Sequence, residues 1–398
     1  MSSAQAIRLA SGRKSGEPAF RYDTGLLLAT LFLLSLGIVM VTSSSITMAD
    51  RVYEDAWYFL WRHGFALLIG LLCGALVVSL PLHLWQSMSS VLLLLAFVLL
   101  TLVLIPGIGK EVNGSMRWID LGPVNLQGSE PVKLFVITYT AAYLVRHNDQ
   151  VKNTFSGFIK PVFVVTMLSG LLLLEPDYGS AVVLFSTVLG MLFMAGAPLS
   201  RFIAWVLIAS VALAGLAVLS PYRMQRLTAF MDPWQDPFNS GFQLIQGLIA
   251  FGRGEWFGVG LGSSVQKLFY LPEAHTDFLF AVLAEELGLL ACLAVIITFF
   301  FIVRRAFTIA SAARDQGNTF SAYMAYGSGL ILGIQAYVNM GVNTGLLPTK
   351  GLTLPLLSYG NNSIIISCVF IALLLRVDYE TRRQDKRRIP EAVTQYAA

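Results

Sequence analysis

The sequence has few charged residues and few side chains suited to metal binding. Only 13% of its 398 residues are charged, whereas soluble domains carry roughly 25%. There are four histidines and three cysteines, with neither HExxH nor CxxC spacing. The cysteines all lie inside apolar runs, so no disulfide framework is indicated. The first twenty residues are polar and basic, which predicts no cleavable signal peptide.

Apolar residues make up 56% of the chain and occur in long runs bounded by charge, proline or glycine. Such runs are typical of membrane-spanning helices. They predict an all-α polytopic membrane protein with about ten transmembrane helices. The predicted spans are 24–43, 57–80, 84–105, 131–146, 161–175, 178–197, 201–220, 278–303, 321–342 and 358–377.

The positions of lysine and arginine predict how the spans are oriented. Most of the basic residues fall in one set of connections and in both termini, and basic segments stay in the cytoplasm. We therefore expect a cytoplasmic tail at 1–23, a membrane domain at 24–377 and a basic cytoplasmic tail at 378–398. The longest outer connection, about 221–277, would then be periplasmic and lie between spans 7 and 8.

The segment 263–288 carries the most informative polar residues. Asp277 lies just before an apolar run, and Glu273 and His275 precede it closely. A carboxylate at the membrane edge is costly, which makes it a functional candidate. A helix start at Asp277 would help to keep the carboxylate ionised.

Small residues follow Asp277 at helical spacing and would lie beneath it. They are Ala281, Ala284, Gly288 and Ala291. Such a stripe indicates either close helix packing or a groove for an acyl chain. A glycine-rich stretch at 252–262 also occurs, and it predicts turns at the membrane surface more readily than a phosphate-binding loop.

Several outer residues are candidates for binding a substrate. Lys350 is the only charged residue in an apolar loop, where it would pair with a carboxylate of the protein or with a phosphate. Arg223 and Arg226 are three residues apart, so they would share one face of a helix. Trp118 is either an interfacial anchor or a sugar-facing side chain. Asp177 is predicted to be a helix N-cap.

Four motifs resemble those of the SEDS family, the bacterial shape, elongation, division and sporulation proteins. They are NGSMRWIDLG, EPDYGSA, LPEAHTDFLFAVLAEELG and GLLPTKGLTLPLLSYG. The resemblance covers about residues 24–377, and the division branch is the nearest match. Gly128 and the pair Asn361-Asn362 depart from the usual family residues, and we expect only local adjustment there.

The resemblance implies an inner-membrane glycosyltransferase that polymerises lipid II into septal glycan strands during cell division. It implies that Asp277 is the essential carboxylate and that Arg223 and Lys350 are functional cations. The implied partners are a single-span class B penicillin-binding protein, the septal transpeptidase, and other membrane proteins of the division machinery. Nothing in it implies nucleic-acid binding.

The residues themselves suggest a consistent chemistry. Asp277 would act as general base on a sugar hydroxyl. Arg223, Lys350 and Arg226, or a divalent cation such as magnesium or manganese, would stabilise a departing diphosphate. Glu273, His275 and Trp118 would contact the substrate. Two alternatives stay open at this point, namely a lipid II flippase or transporter and a non-catalytic division scaffold.

Overall fold

The structure is a computed structural model that describes residues 22–112, 115–120, 122, 125–218 and 221–397. Within these residues the chain is mostly helical, with twelve α-helices and one small sheet. The helices are α1 (Thr24–Tyr53), α2 (Tyr58–Ser79), α3 (Leu82–Val103), α4 (Ser129–Asn153), α5 (Phe155–Leu174), α6 (Tyr178–Met194), α7 (Leu199–Val218), α8 (Pro221–Met231), α9 (Phe242–Gly254), α10 (Leu279–Asp315), α11 (Thr319–Asn343) and α12 (Asn361–Ala397).

Five of these helices, α1, α2, α3, α5 and α10, are long and apolar enough to cross a membrane, judged by length and composition. Each of the ten predicted segments overlaps one helix. The last helix, α12, runs on to Ala397. No change of secondary structure therefore marks the predicted boundary between a membrane domain and a tail at 378.

The prediction that the chain is all-α is wrong between α3 and α4. There the chain forms a three-stranded antiparallel sheet of β1 (Gly109–Val112), β2 (Ser115–Asp120) and β3 (Asn125–Gln127), in the order β1-β2-β3. In the register of the first pair, Lys110 lies opposite Trp118. Trp118 and Ile119 of β2 are aromatic and β-branched residues, which favour strands, and Ile119 is the buried residue of β2.

Helix α11 lies at the centre of the bundle, where glycines allow its neighbours to come close. A Cβ atom at Gly327 would lie 2.5 Å from a methyl carbon of Ile137 in α4. One at Gly329 would lie 2.6 Å from the Cβ atom of Ala306 in α10. Small residues at helix contacts are the usual means of tight packing in membranes, where the hydrophobic effect supplies little attraction between helices.

Helix α10 is broken at Gly288, whose φ of 75° and ψ of −174° are not helical. The backbone groups freed by the break bond to segment 255–260 of the preceding connection. The bonds are Leu289 N–H to Glu255 O (2.9 Å), Leu290 N–H to Trp256 O (3.3 Å), Val259 N–H to Glu285 O (2.9 Å) and Gly260 N–H to Glu286 O (3.1 Å). Segment 255–260 thus completes the hydrogen bonding of α10, as an apolar environment requires.

Two glutamates beside this break are fully buried and paired. Glu285 accepts a hydrogen bond of 2.6 Å from Arg253 of α9. Glu286 accepts bonds of 2.7 Å from Lys267 and 2.7 Å from the Ser43 hydroxyl of α1. These pairs fix the connection before Asp277 to the helices, because a buried carboxylate without its partners is strongly unfavourable.

We expect Lys267→Met to destabilise the folded protein by about 3–5 kcal/mol, because it leaves Glu286 buried and unpaired. The double variant Lys267→Met/Glu286→Gln should recover much of this loss, since it removes the unpaired charge. The measurement is thermal or denaturant unfolding of the purified protein in detergent.

The matched control is Lys110→Met, which removes the lysine of an exposed ion pair with Asp120. Exposed pairs contribute roughly 0–1 kcal/mol, so this variant should unfold almost like the wild type. Equal destabilisation by both lysine variants would contradict the role given to Lys267.

Candidate active site

Asp277 is half-buried on the wall of a large cavity at one end of the helix bundle. The cavity has a volume of about 1170 Å³. Its wall includes the sheet, the last residue of α1, the first turns of α2 and α6, and residues 349–353. The 349–353 segment comes close to the carboxylate, because a Cβ atom at Gly351 would lie 3.0 Å from Asp277 Oδ2.

The cavity wall carries more positive than negative side chains. Its basic residues are Arg62, Lys110, Arg117, Arg226 and Lys350, and its acidic residues are Glu130, Glu273 and Asp277. Glu130 is neutralised by a buried ion pair of 2.8 Å with Lys133. Lys110 is paired with Asp120 at 2.9 Å. Basic side chains still outnumber acidic ones on the wall, which favours an anionic ligand.

The pKa of Asp277 is raised to about 7, mainly by burial of the carboxyl group and next by the nearby carboxylate of Glu273. Asp177 acts in the same direction, whereas Arg117 lowers the pKa of Asp277. The sequence predicts a helix start at Asp277 that would help to keep the carboxylate ionised. The helix begins only at Leu279, and desolvation of the carboxylate raises its pKa. A carboxyl group with a pKa near 7 can accept and release a proton at neutral pH.

The structure brings four of the predicted site residues to the same cavity as Asp277. Trp118 of β2, Arg226 of α8, Glu273 and Lys350 all line it. The Lys350 ammonium lies over the ring of Tyr178, 5.0 Å from its centroid. The Glu273 carboxylate accepts a bond of 2.6 Å from the Thr276 hydroxyl.

His275 and Arg223 complete the set of predicted site residues. His275 is buried, and its ring packs 4.5 Å from that of Phe59 and 5.5 Å from that of Tyr359, counted between centroids. It is not among the residues that line the cavity, so its predicted contact with the substrate stays a prediction. Arg223 belongs to α8, but its side chain lies outside the part of the chain that the structure describes.

Two basic residues of the cavity wall, Arg62 and Arg117, were not among the site residues predicted from the sequence. Arg62 lies in α2, where it stacks over Tyr58 with its guanidinium carbon 5.0 Å from the ring centroid. Arg117 donates to the carbonyls of Glu175 (3.2 Å) and Pro176 (2.6 Å), so it fastens the sheet to the α5–α6 turn. A basic residue within an apolar helix was the available signal for Arg62.

The predicted small-residue stripe is a packing surface in this structure. A Cβ atom at Gly254 would lie 1.8 Å from the carbonyl oxygen of Ala284, and one at Gly258 would lie 2.2 Å from that of Glu286. The glycine-rich stretch therefore packs closely against α10. Asp177 is an N-cap as predicted, because its side chain accepts a bond from the Ser180 N–H of α6.

The residues described by the structure include no group of three or more His, Cys, Asp or Glu side chains that could hold a metal ion. A divalent cation in the cavity would therefore need several of its ligands from a bound anion or from water.

The fold and the site define a polytopic helical protein with an acid-bearing, positively charged cavity at one end. The model of the FtsW/RodA/SpoVE family, described as cell cycle proteins, matches residues 24–383. The chain is 55% identical to the probable peptidoglycan glycosyltransferase FtsW of Nitrosococcus halophilus, over 95% of this chain and 96% of that protein. It is 52% identical to the protein of the same name from Legionella pneumophila, over 94% of this chain and 95% of the relative.

Two solved structures are similar as well. One is a peptidoglycan synthase complex that coordinates polymerization and crosslinking, with 30% identity, a TM-score of 0.73, and coverage of 90% of this chain and 98% of the matched chain. The other is the rod shape determining protein RodA of Thermus thermophilus, with 27% identity, a TM-score of 0.66, and coverage of 91% and 98%. The chain therefore belongs to the FtsW/RodA/SpoVE family, which is the SEDS family that its motifs resemble.

The raised pKa of Asp277 has a measurable effect on stability. Because the folded state holds this proton more tightly than the unfolded state, stability is lost as pH rises from about 4 to about 7. Asp277→Asn removes this loss. We therefore expect the variant to be more stable than the wild type at pH 8, by less than about 4 kcal/mol, and to match it near pH 4.

The measurement is the unfolding midpoint of both proteins across this pH range. Asp236→Asn is a suitable control, because Asp236 is a half-buried turn residue whose pKa is lowered, not raised, by hydrogen bonds from Ser240 and Asn239. A wild-type protein that gains stability relative to Asp277→Asn as pH rises would contradict the assignment.

Proposed function

We propose that this protein is a peptidoglycan glycosyltransferase that polymerises lipid II into septal glycan strands during cell division. The observation that carries the proposal is Asp277, a carboxyl group with a pKa of about 7 on the wall of a cationic cavity. The curated relatives named peptidoglycan glycosyltransferase FtsW, which match over nearly the full chain, support the same activity.

In the proposed reaction, Asp277 removes the proton from the attacking sugar hydroxyl. The hydroxyl oxygen then forms a bond to the anomeric carbon of the donor sugar, and the bond from that carbon to the diphosphate breaks. Lys350 and Arg226 line the cavity and would stabilise the departing diphosphate, with Arg223 assigned to the same role from the sequence. Trp118 and Glu273 would contact the sugars.

A divalent cation remains a further proposal. The diphosphate of the donor would bring the cation into the cavity on binding, since phosphate oxygens are preferred ligands of magnesium. Removal of divalent ions with a chelator, followed by return of magnesium or manganese, tests this point directly.

The two alternatives to polymerisation receive less support. Transport of the same lipid favours charged groups near the midplane along a path through the bundle. The buried carboxylates of Glu130, Glu285 and Glu286 all have basic partners within 2.8 Å, which favours a structural role for them. A scaffold without catalysis would have no need of a large cavity around a half-buried acid.

We expect Asp277→Asn to reduce the polymerisation rate by at least 10²-fold, because general base catalysis typically contributes about 10²–10⁴-fold. The wild-type rate should rise with pH through about 7, as Asp277 loses its proton.

Lys350→Ala should impair donor binding or turnover. The measurement is glycan chain formation from labelled lipid II by purified complex, with Asp236→Asn as the control.

A variant at Asp277 that keeps more than about a tenth of the wild-type rate would contradict the base assignment. Lipid II that crosses a bilayer without forming polymer would identify a transporter instead.

The active unit is proposed to be a complex with a single-span class B penicillin-binding protein, together with other membrane proteins of the division machinery. The similarity to one chain of a peptidoglycan synthase complex supports such a partner. Titration of the purified chain with the septal transpeptidase should raise the rate, and a flat response would argue for an autonomous enzyme.

We also propose ten membrane spans, with both termini in the cytoplasm and the cavity in the periplasm of an inner-membrane protein at the septum. Single cysteines test the orientation, in a background in which Cys73, Cys292 and Cys368 are replaced. Leu346→Cys and Phe238→Cys, at positions that are 69% and 85% exposed, should react with an impermeant thiol reagent in cells whose outer membrane is permeabilised.

Ala312→Cys, near the end of α10 that is remote from the cavity, should react only after lysis of the inner membrane. Labelling of this site before lysis would refute the ten-span orientation.

A further inference from the structure

Three amide side chains on α11 connect the segment that carries Asp277 with the segment that carries Lys350. Gln335, Asn339 and Asn343 are four residues apart, so they lie along one face of the helix. They are 4%, 2% and 0% exposed, and none of them lines the cavity. Any effect they have on a bound substrate must therefore pass through the groups to which they are hydrogen-bonded.

Asn339 joins the two segments directly. Its Nδ2 atom donates to the backbone carbonyl of Asp277 (2.8 Å) and to that of Leu352 (2.5 Å). An amide nitrogen has two hydrogens, so both are used in this bridge. The residue with the carboxylate and the loop that follows Lys350 are thus held against the same side chain.

Asn343 fixes the same carbonyl together with the first turn of α10. Its Nδ2 atom donates to the Asp277 carbonyl (2.9 Å), and its Oδ1 atom accepts from the Ala281 N–H (3.1 Å). The N-cap residue of α10, Phe278, makes no capping hydrogen bond with its side chain. Asn343 therefore supplies from another helix the capping acceptor that most helices have at their own start.

Gln335 extends the arrangement to a buried ion pair. Its Nε2 atom donates to the Thr353 carbonyl (3.1 Å), and its Oε1 atom accepts from Lys133 (2.8 Å). Lys133 in turn pairs with Glu130 of the cavity wall. The loop at 350–353 is consequently held at two successive carbonyl groups, those of Leu352 and Thr353.

We propose that Asn339 and Asn343 are positioning residues for the glycosyl transfer, which rests on the function proposed above. They fix the position of the Asp277 carboxylate relative to the loop that bears Lys350. They thereby fix the distance between the proposed general base and the proposed binding site of the diphosphate. The carbonyl oxygen of Asp277 accepts one hydrogen bond from each of these two amides, which uses both of its lone pairs. Movement of this backbone group would therefore break hydrogen bonds. Displacement of a catalytic group by about 1 Å can cost 10²-fold in rate.

The test uses Asn339→Leu and Asn343→Leu, which keep similar volume but remove the amide bonds. Both are measured as full-length protein in complex with the transpeptidase, with labelled lipid II as substrate. We expect kcat to fall about 10-fold to 100-fold while KM changes little. The pH midpoint of the rate should move to lower pH, because a loosened Asp277 is better hydrated.

Ser328→Ala is the matched control. Ser328 is buried on the same helix, and its hydroxyl bonds only within α11, to the Met324 carbonyl (2.8 Å). It should behave like the wild type. If either leucine variant yields too little folded protein, Asn343→Asp keeps an acceptor for the Ala281 N–H but loses the amide that donates to the carbonyls of Asp277 and Asn339. It should show the same fall in kcat.

Asparagine variants with wild-type kcat and an unmoved pH midpoint would overturn the positioning role while leaving the proposed function intact. An equal loss in Ser328→Ala would also overturn it, since the effect would then be one of general stability. A wild-type complex that makes no polymer would overturn the proposed function, and the positioning role with it.

Discussion

The break in α10 at Gly288 is the constraint on which the cavity end of the molecule depends. A helix interrupted inside an apolar bundle frees carbonyl and N–H groups that no water can satisfy. Segment 255–260 satisfies them through backbone hydrogen bonds, and Glu285 and Glu286 bind the residues on either side of that segment. The long connection after α7 is therefore attached to the bundle by its own polar groups before it reaches Asp277.

This attachment explains how an acid can lie on a connection and still have a defined position. Asp277 is reached after a run of turns, which would ordinarily leave a side chain mobile. Here the paired glutamates hold the chain before Asp277, and the amides of Asn339 and Asn343 hold the backbone of Asp277 itself. The proposed role as a general base would need both a suitable pKa and a fixed distance to the substrate. Burial raises the pKa of Asp277, and hydrogen bonds from α11 hold its backbone.

The sequence predicted ten of the helices because each contains an apolar run, and it singled out Asp277 because an acid at the membrane edge is rare. It did not predict the sheet, since β1 to β3 are only three to six residues long. The break at Gly288 carried no clear signal, because glycine between leucines also suits a packed helix. The amides of α11 were detectable as polar residues with a four-residue period, but their bonding partners are distant in sequence.

The same distance in sequence makes Arg117 and Arg62 hard to assign from the sequence. The Arg117 side chain bonds to carbonyls 58 and 59 residues further along the chain. Only the folded arrangement of sheet, α2 and α6 shows that these basic groups share one cavity with Lys350. A pattern within a single segment can suggest that a cation is functional, but it cannot show which other cations accompany it.

The pairing of Glu286 also bears on how the protein is assembled during synthesis. Lys267 precedes Glu286 by 19 residues, so this basic partner has already been synthesised when the glutamate enters the translocation machinery. Its other partner, Ser43, is 243 residues earlier and belongs to the first helix to be inserted. The connection and α10 would then insert as one neutralised hairpin. The contact with α1 can form only at this late stage, because Glu286 is made after α1 and after all the helices between them.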